Sequence, residues 1–406
     1  MFKPELLSPA GTLKNMRYAF AYGADAVYAG QPRYSLRVRN NEFNHENLQL
    51  GINEAHALGK KFYVVVNIAP HNAKLKTFIR DLKPVVEMGP DALIMSDPGL
   101  IMLVREHFPE MPIHLSVQAN AVNWATVKFW QQMGLTRVIL SRELSLEEIE
   151  EIRNQVPDME IEIFVHGALC MAISGKCYLS LDNASRSANR GECMQLCRRS
   201  YIVTDKETGT ELEIDNKYIM SPKDLKTVRF IDRMMKAGVR VFKIEGRARG
   251  AEYVYTVVKC YKEAIQSVLD GTFTEEKKDE WDERLATVFN RGFWDGYYQG
   301  QRLGEWNKNY GSNATERKVY VGKGVKYFSK LGVAEFTCEA CEFSVGDKML
   351  ITGPTTGVMY VTVEEIHDDT HAVETAQKGT RVSFRVPDKV RPSDKLFKLV
   401  KVEPKY

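Results

Sequence analysis

The chain has 406 residues, more than one typical core holds, with 44% hydrophobic residues, 27% charged residues and a formal net charge of +3. This is an ordinary globular composition, which excludes a disordered chain, and the charge balance gives no strong electrostatic case for nucleic acid. The opening MFKPELLSPAG lacks a basic segment followed by a long apolar one, and no run approaches the ~20 apolar residues that a membrane helix needs, so a cytosolic protein with no membrane partner is expected.

Eight short β-rich runs recur in the first part of the chain: Glu5–Ser8, Ala26–Tyr28, Phe62–Asn67, Ala92–Ser96, Ile113–Gln118, Val138–Ser141, Ile161–His166 and Val241–Glu245. Nearly all are continuous rather than alternating, as parallel strands covered on both faces require. Helical segments separate them. Leu13–Tyr22, Asn47–Leu58, Lys76–Met88 and Trp124–Met133 each stop at a glycine, which tolerates the left-handed conformation found at many helix ends. Ser145 with Glu148 reads as a capping box. Ser221, Pro222 and Asp224 read as the cap, first-position proline and early acid of a helix that ends before Gly238. Eight strand–helix repeats predict a (β/α)8 barrel of the TIM type. The alternative, a doubly wound open sheet, is disfavoured because no G-x-G-x-x-G follows the first strand.

The interval from His166 to Val241 is far longer than a plain connection, and an insertion is expected over about 167–235. It contains a polar stretch, Asp205–Asn216, that reads as a hairpin or loop. Helices follow near Ala251–Leu269 and Glu275–Asn290. The segment RGFWDGYYQG, Arg291–Gly300, has aromatics that stack bases in some proteins, but packing at a domain junction is the favoured reading. The expected organisation is a catalytic barrel over 1–300, a polar linker over 301–317 and a small all-β barrel over 318–406, where short β-type runs alternate with turns.

Four of the seven cysteines crowd together as Cys170-x6-Cys177-x15-Cys193-x3-Cys197. Disulfides are rare in the cytosol, so such crowding suggests a metal or catalysis. Four thiolates suit a structural Zn²⁺ or an iron–sulfur cluster. Structural zinc sites favour two close pairs, and only the second pair is close here. The spacing therefore favours a cluster wrapped by a long loop, with zinc as the alternative. Cys170 follows the seventh strand closely, which places the group at the C-terminal mouth, where barrel enzymes build their active sites. Cys338-x2-Cys341 is half a metal knuckle and reads as two ordinary thiols, while Cys260 reads as core. A thiol protease needs a cysteine beside a histidine, and Cys170 with His166 is the one candidate pair. No G-x-S-x-G or H-E-x-x-H occurs.

Polar residues concentrate at the strand ends: Ser8, Asn67, Ser96, Asp97, Gln118, Ser141, Arg142, His166, Lys243, Glu245 and Arg247. Barrel interiors fill with branched apolar side chains, so polar groups at one end predict a polar-ligand pocket. Asn67, Gln118, Arg142, Arg198, Lys243 and Arg247 are the candidate substrate-binding residues. Arginine forks match carboxylates and phosphates, which implies an anionic ligand. His166 is a candidate for proton transfer because histidine titrates near neutral pH. Glu245, between Lys243 and Arg247, is either an acid catalyst or their ion-pair partner.

The segments ELLSPAG, ADAVYAG, FVHGALCMAISGKCYLS, RSANRGECMQLCRRSY, SPKDL and KIEGRARG resemble the peptidase U32 (collagenase-like) family across nearly the whole barrel. The resemblance implies a 4Fe–4S cluster on Cys170, Cys177, Cys193 and Cys197, members differing in the fourth ligand. It implies an oxygen-independent hydroxylase that makes 5-hydroxyuridine at the wobble position of tRNA, with prephenate as co-substrate. It also leaves open a peptidase, or a hydroxylase of another RNA such as 23S rRNA. FSVGDKMLITG and GTRVSFRVP, near the C-terminus, look like the β-barrel of translation factors, which implies RNA docking there.

Overall fold

The computed structural model describes residues 2–36, 42–174, 176–209, 211–212, 220–246, 249–309, 311–368 and 371–402. Eight strands, β1 (Glu5–Pro9), β2 (Ala26–Gly30), β3 (Lys61–Val66), β4 (Ala92–Met95), β5 (Ile113–Leu115), β6 (Arg137–Ile139), β7 (Glu160–Gly167) and β8 (Val241–Ile244), pair in parallel in chain order. β8 pairs with both β1, where Leu7 meets Lys243, and β7, where Val241 meets Glu162, so the sheet closes. Helices α1 (Leu13–Ala21), α2 (His45–Ala57), α3 (Asn72–Glu87), α4 (Pro98–His107), α5 (Trp124–Gln132) and α6 (Leu146–Gln155) connect the first seven strands. The long interval before β8 carries α7 (Leu179–Ala184) and α8 (Ile231–Lys236), and α9 (Ala251–Leu269) and α10 (Glu275–Ala286) follow β8. This is the expected (β/α)8 barrel. Among the described residues no helix is long and apolar enough to cross a membrane.

The local signals work where backbone chemistry decides. Ser145 accepts from the Glu148 amide while the Glu148 carboxylate accepts from the Ser145 amide, completing the capping box of α6. Gly23, Gly59, Gly89 and Gly134 all have positive φ just beyond their helices. Two expectations need correction. The fifth run ends at Leu115, and Val117–Ala119 is a 3-10 turn held by the Ser116 hydroxyl. Ser221, Pro222 and Asp224 do not start a helix. Asp224–Lys226 is instead a short strand antiparallel to the end of β7, with Leu225 opposite Gly167, and α8 begins only at Ile231. Pro222 bridges to Trp306, and the Asp224 carboxylate is buried against Arg291, so neither is available to a helix terminus.

Contacts between strands that are not neighbours must cross the barrel, and these show what fills it. Arg137 on β6 lies 2.9 Å from Glu5 on β1, and it also pairs with Glu160 and Glu162 on β7. The Tyr63 hydroxyl on β3 donates to Glu5, and its ring packs edge-on against His114 of β5. Higher up, Lys243 Nζ is 2.7 Å from Glu162 Oε1 and sits over the Tyr28 ring. The lower barrel is therefore a desolvated ion network rather than a purely aliphatic plug. It pulls the Glu5 carboxyl below its ordinary range: burial acts upward, and Arg137, Lys61 and the Tyr63 hydroxyl together outweigh it.

The C-terminal residues form antiparallel sheets. β9 (Glu316–Phe328), β10 (Val333–Cys338), β11 (Lys348–Gly353), β12 (Gly357–Thr362), β13 (Arg381–Arg385) and β14 (Lys395–Lys401) pair in the order β12-β11-β14-β9-β10-β13, with a second core around Phe336, Phe343 and Phe384. This unit lies along α1 and α9. The Tyr18 hydroxyl donates to the Gly353 carbonyl, the Val358 amide donates to the Tyr22 hydroxyl, and Lys318 pairs with Glu252. The stretch before it is docked as well: the Lys223 amide donates to the Glu305 carbonyl and the Asn307 amide to the Ser221 carbonyl.

Removing Arg137 leaves the buried Glu162 with Lys243 alone and the half-buried Glu5 with only the exposed Lys61, and breaking such a buried network costs about 3–5 kcal/mol. Arg137→Ala should lower the denaturant midpoint accordingly. A change below about 1 kcal/mol, the range of exposed pairs, would show that solvent reaches the lower barrel.

Candidate active site at the barrel mouth

The end of β7 is irregular. Phe164 lies opposite Lys243, but the next pair joins His166 to Ile244, so Val165 is one residue more than β8 can match. An extra residue reverses the side-chain alternation beyond it. Glu162 and Phe164 accordingly face the interior cations, whereas His166 turns outward, into a pocket walled by Tyr253, Tyr261 and Phe293. The Val165 carbonyl, displaced from the ladder, accepts from the Tyr261 hydroxyl at 2.7 Å and from Thr227 Oγ1 at 3.0 Å. Gly167 follows with φ +105°, and a Cβ there would lie 2.3 Å from the Glu245 carbonyl oxygen. Only glycine fits that crossing.

This geometry corrects the expectation for His166. Its ring is buried, Nδ1 is 3.3 Å from the Tyr261 hydroxyl, and burial, reinforced by Lys226 and Arg249, lowers its pKa to about 3. It is a neutral packing group, not a residue that titrates near neutral pH. The thiol–imidazole pair with Cys170 is not formed either, because Cys170 is exposed on the loop while the imidazole is enclosed by aromatics.

The cysteine segment lies across the mouth, tied to loops from several strands. The Ala69 amide, beyond β3, donates to the Asn189 carbonyl, and Asn120 Nδ2, beyond β5, donates to the Ser174 carbonyl at 2.7 Å. Arg198 donates to Ser221 Oγ, the Pro222 carbonyl and the Leu169 carbonyl. Arg198 thus staples the loop and does not offer its fork to a ligand, contrary to expectation. All four thiols are free, Cys170 and Cys193 exposed and Cys177 and Cys197 partly buried. Burial pushes the Cys197 thiol up; Arg198 opposes this, and Cys170, Cys193 and Cys177 are all near enough to add to it. The donors are gathered and of the right type for a four-thiolate group, although among the described residues no three such side chains converge to metal-ligand geometry.

The other candidates divide. Asn67 is used structurally: Oδ1 accepts from the Leu36 amide and Nδ2 donates to Ser116 Oγ. Lys243 is held inside by Glu162. Glu245 is buried, its carboxylate 3.4 Å from the Tyr28 hydroxyl. Arg247 lies outside the described residues. Arg142 and Gln118 remain open to a ligand. Arg142 stacks over Phe164 at 4.0 Å with a buried Nε that has no protein acceptor, and Gln118 Oε1 is buried without a donor. Unmatched buried polar atoms are uncommon and here sit at the mouth, where a polar substrate would pair with them. Sequence reasoning missed Asp224, Arg249 and Arg291: Asp224 and Arg291 lie near Arg198, and Arg249 lies near Asp224. Their signal was weak: Arg249 is the next-to-last residue of KIEGRARG and Arg291 opens RGFWDGYYQG, but only folding brings the two segments together. The latter packs on the barrel itself, Phe293–Trp294 pairing with Asp224–Lys226 and the Tyr298 hydroxyl donating to the Phe164 carbonyl, rather than at the domain junction.

The buried imidazole makes a pH prediction. Its folded value of about 3 lies below the unfolded value of about 6.5, so between them the unfolded chain binds the extra proton. Stability from this residue is complete above about pH 6.5 and is lost as pH falls toward 3. In denaturant unfolding at pH 7 and pH 5, His166→Phe should lose less stability on acidification than the natural chain. An equal loss would mean that the imidazole is hydrated.

Residues 11–308 match the peptidase family U32. The chain is 58% identical over 399 residues, 87% of each chain, to tRNA hydroxylation protein P of Escherichia coli (strain K12). It is 49% identical over 410 residues, 98% of each chain, to a collagenase of Porphyromonas gingivalis (strain ATCC BAA-308 / W83). It is 35% identical over 403 residues, 98% of this chain and 95% of the other, to tRNA hydroxylation protein P1 of Bacillus subtilis (strain 168). With a family match over most of the barrel and near-full-length likeness to these relatives, the chain belongs to the peptidase family U32.

Proposed function

We propose that this protein is a tRNA-modifying hydroxylase whose reaction takes place under the cysteine loop. The observation that carries the reading is the near-full-length likeness to proteins named for tRNA hydroxylation, in a chain whose four thiols gather over an enzyme-type barrel mouth. The finer reading is oxygen-independent formation of 5-hydroxyuridine at the wobble position, with prephenate as the co-substrate. Cys170, Cys177, Cys193 and Cys197 would hold a 4Fe–4S cluster, which when bound supplies redox or Lewis-acid chemistry at the mouth. Zinc on the same thiolates is the alternative.

The chain's own residues have separate tasks in this reading. Arg142 presents a cation to an anionic group, and Gln118 Oε1 offers an acceptor to a substrate N–H. The loop exposes Met171, Ile173, Tyr178, Tyr201 and Ile202, with Lys176 and Arg199 among them. Large exposed apolar groups mark a binding surface, and aromatic faces interleaved with cations suit the unstacked bases and phosphates of an RNA loop. The peptidase reading has collagenase-named relatives in its favour, but the enclosed His166 cannot serve Cys170 as a base.

The test has two readouts. Protein purified without oxygen should contain iron and sulfide in about a 4:4 ratio, and Cys177→Ala should lose both. In a strain lacking the gene, the natural chain should restore 5-hydroxyuridine to tRNA and Cys177→Ala should not. Zinc without sulfide would replace the cluster by a structural site, and tRNA left unmodified by the natural chain would overturn the hydroxylase reading.

A further inference from the structure

Beside the cysteine loop, on the rim formed by the end of β8 and the segment after α10, three arginines surround a single buried carboxylate. Arg291 Nη1 is 3.3 Å from Asp224 Oδ1, and Arg198 and Arg249 are both close enough to act on the same group. Arg198 is already bonded to the backbone and to Ser221. Arg249 is not so used. Its guanidinium carbon stacks 3.6 Å from the centre of the Phe289 ring, and Arg291 flanks the same ring at 5.2 Å. Among the described residues the Arg249 guanidinium has neither an ion pair nor a hydrogen-bonded acceptor, and the side chain is only partly buried.

Two guanidiniums on one ring share one acid, so like charges face each other in a partly desolvated place. A second anion relieves that repulsion. A guanidinium laid on a ring keeps its N–H edge free, and such an edge receives a carboxylate or phosphate with two parallel hydrogen bonds. The site adjoins the cysteines through Arg198, whose neighbours include Arg291, Asp224, Cys197 and Cys170.

We propose that Arg249 and Arg291, stacked on Phe289, form an oxyanion-binding subsite for a small carboxylate- or phosphate-bearing molecule. As the seat of the hydroxylase's anionic co-substrate it rests on the function proposed above; as a binding site it stands on the geometry alone, and the two are tested apart. Asp224 keeps Arg291 in place, and Arg249 supplies the unused fork.

The test is calorimetric titration of the full chain with malonate and, separately, with inorganic phosphate. Saturable binding of at least one is expected. Arg249→Gln should weaken it at least about tenfold, and Arg249→Lys, which keeps the charge without the fork, should fall between. Arg80→Gln, on the exposed face of α3, should bind as the natural chain does. Preference for malonate identifies a carboxylate ligand and preference for phosphate a phosphorylated one. Equal affinity in Arg249→Gln and the natural chain overturns the subsite, as does a single-stranded RNA oligonucleotide binding through Arg249 when neither small anion binds. Anion binding that depends on Arg249, in a protein that leaves tRNA unmodified, retains the subsite and refutes the hydroxylase.

Discussion

The mouth of this barrel is organised by one mismatch in length: at its top, β7 carries one residue more than β8. The extra residue, Val165, costs a ladder hydrogen bond, and the freed carbonyl is answered by Tyr261 of α9 and by Thr227. Buried backbone groups must be satisfied, so this single irregularity determines what packs outside it. It turns His166 away from the substrate side. It brings Gly167 against the Glu245 backbone at a distance that admits no side chain. The cysteine loop leaves the strand from that pinned position.

Below the mismatch the barrel interior has a different character. Arg137 and Lys243 are both engaged with acids, so the positive charge seen along these strands belongs to the scaffold rather than to a ligand pocket. What remains for chemistry lies above: Arg142 on Phe164, Gln118 under the loop, and the arginines on Phe289. The two cationic positions among these use the same device, a guanidinium laid on an aromatic face. The device restricts the side chain without occupying its hydrogen-bonding edge.

Much of the barrel is legible from the amino-acid order, because continuous apolar runs, glycine stops and the Ser145–Glu148 box are local features. The misreadings share a cause. Ser221, Pro222 and Asp224 have the composition of a helix start, but tertiary partners, Trp306 and Arg291, claim them first. His166 looked reactive because residue type was visible and burial was not. Arg198 and Lys243 are indeed near the mouth, but whether a cation is committed depends on an acceptor far away in sequence, such as Leu169 or Glu162. The crowding of the four cysteines is visible in their spacing, whereas the arginine pair is not: Arg249 and Arg291 come from separate segments that meet at Asp224 and Phe289.

The strap from Glu305 to Asn307 bears on how the protein is made. It holds Ser221 and Lys223, the foot of the cysteine loop, through backbone hydrogen bonds, yet it follows every barrel strand in the chain. Chains emerge from the ribosome N-terminus first, and their units fold in that order. The eight strands and their helices are therefore synthesised before the strap that secures the loop's base. The four thiols therefore lie on a segment whose base is secured only once residues 305–307 have been made, after the barrel strands themselves have emerged.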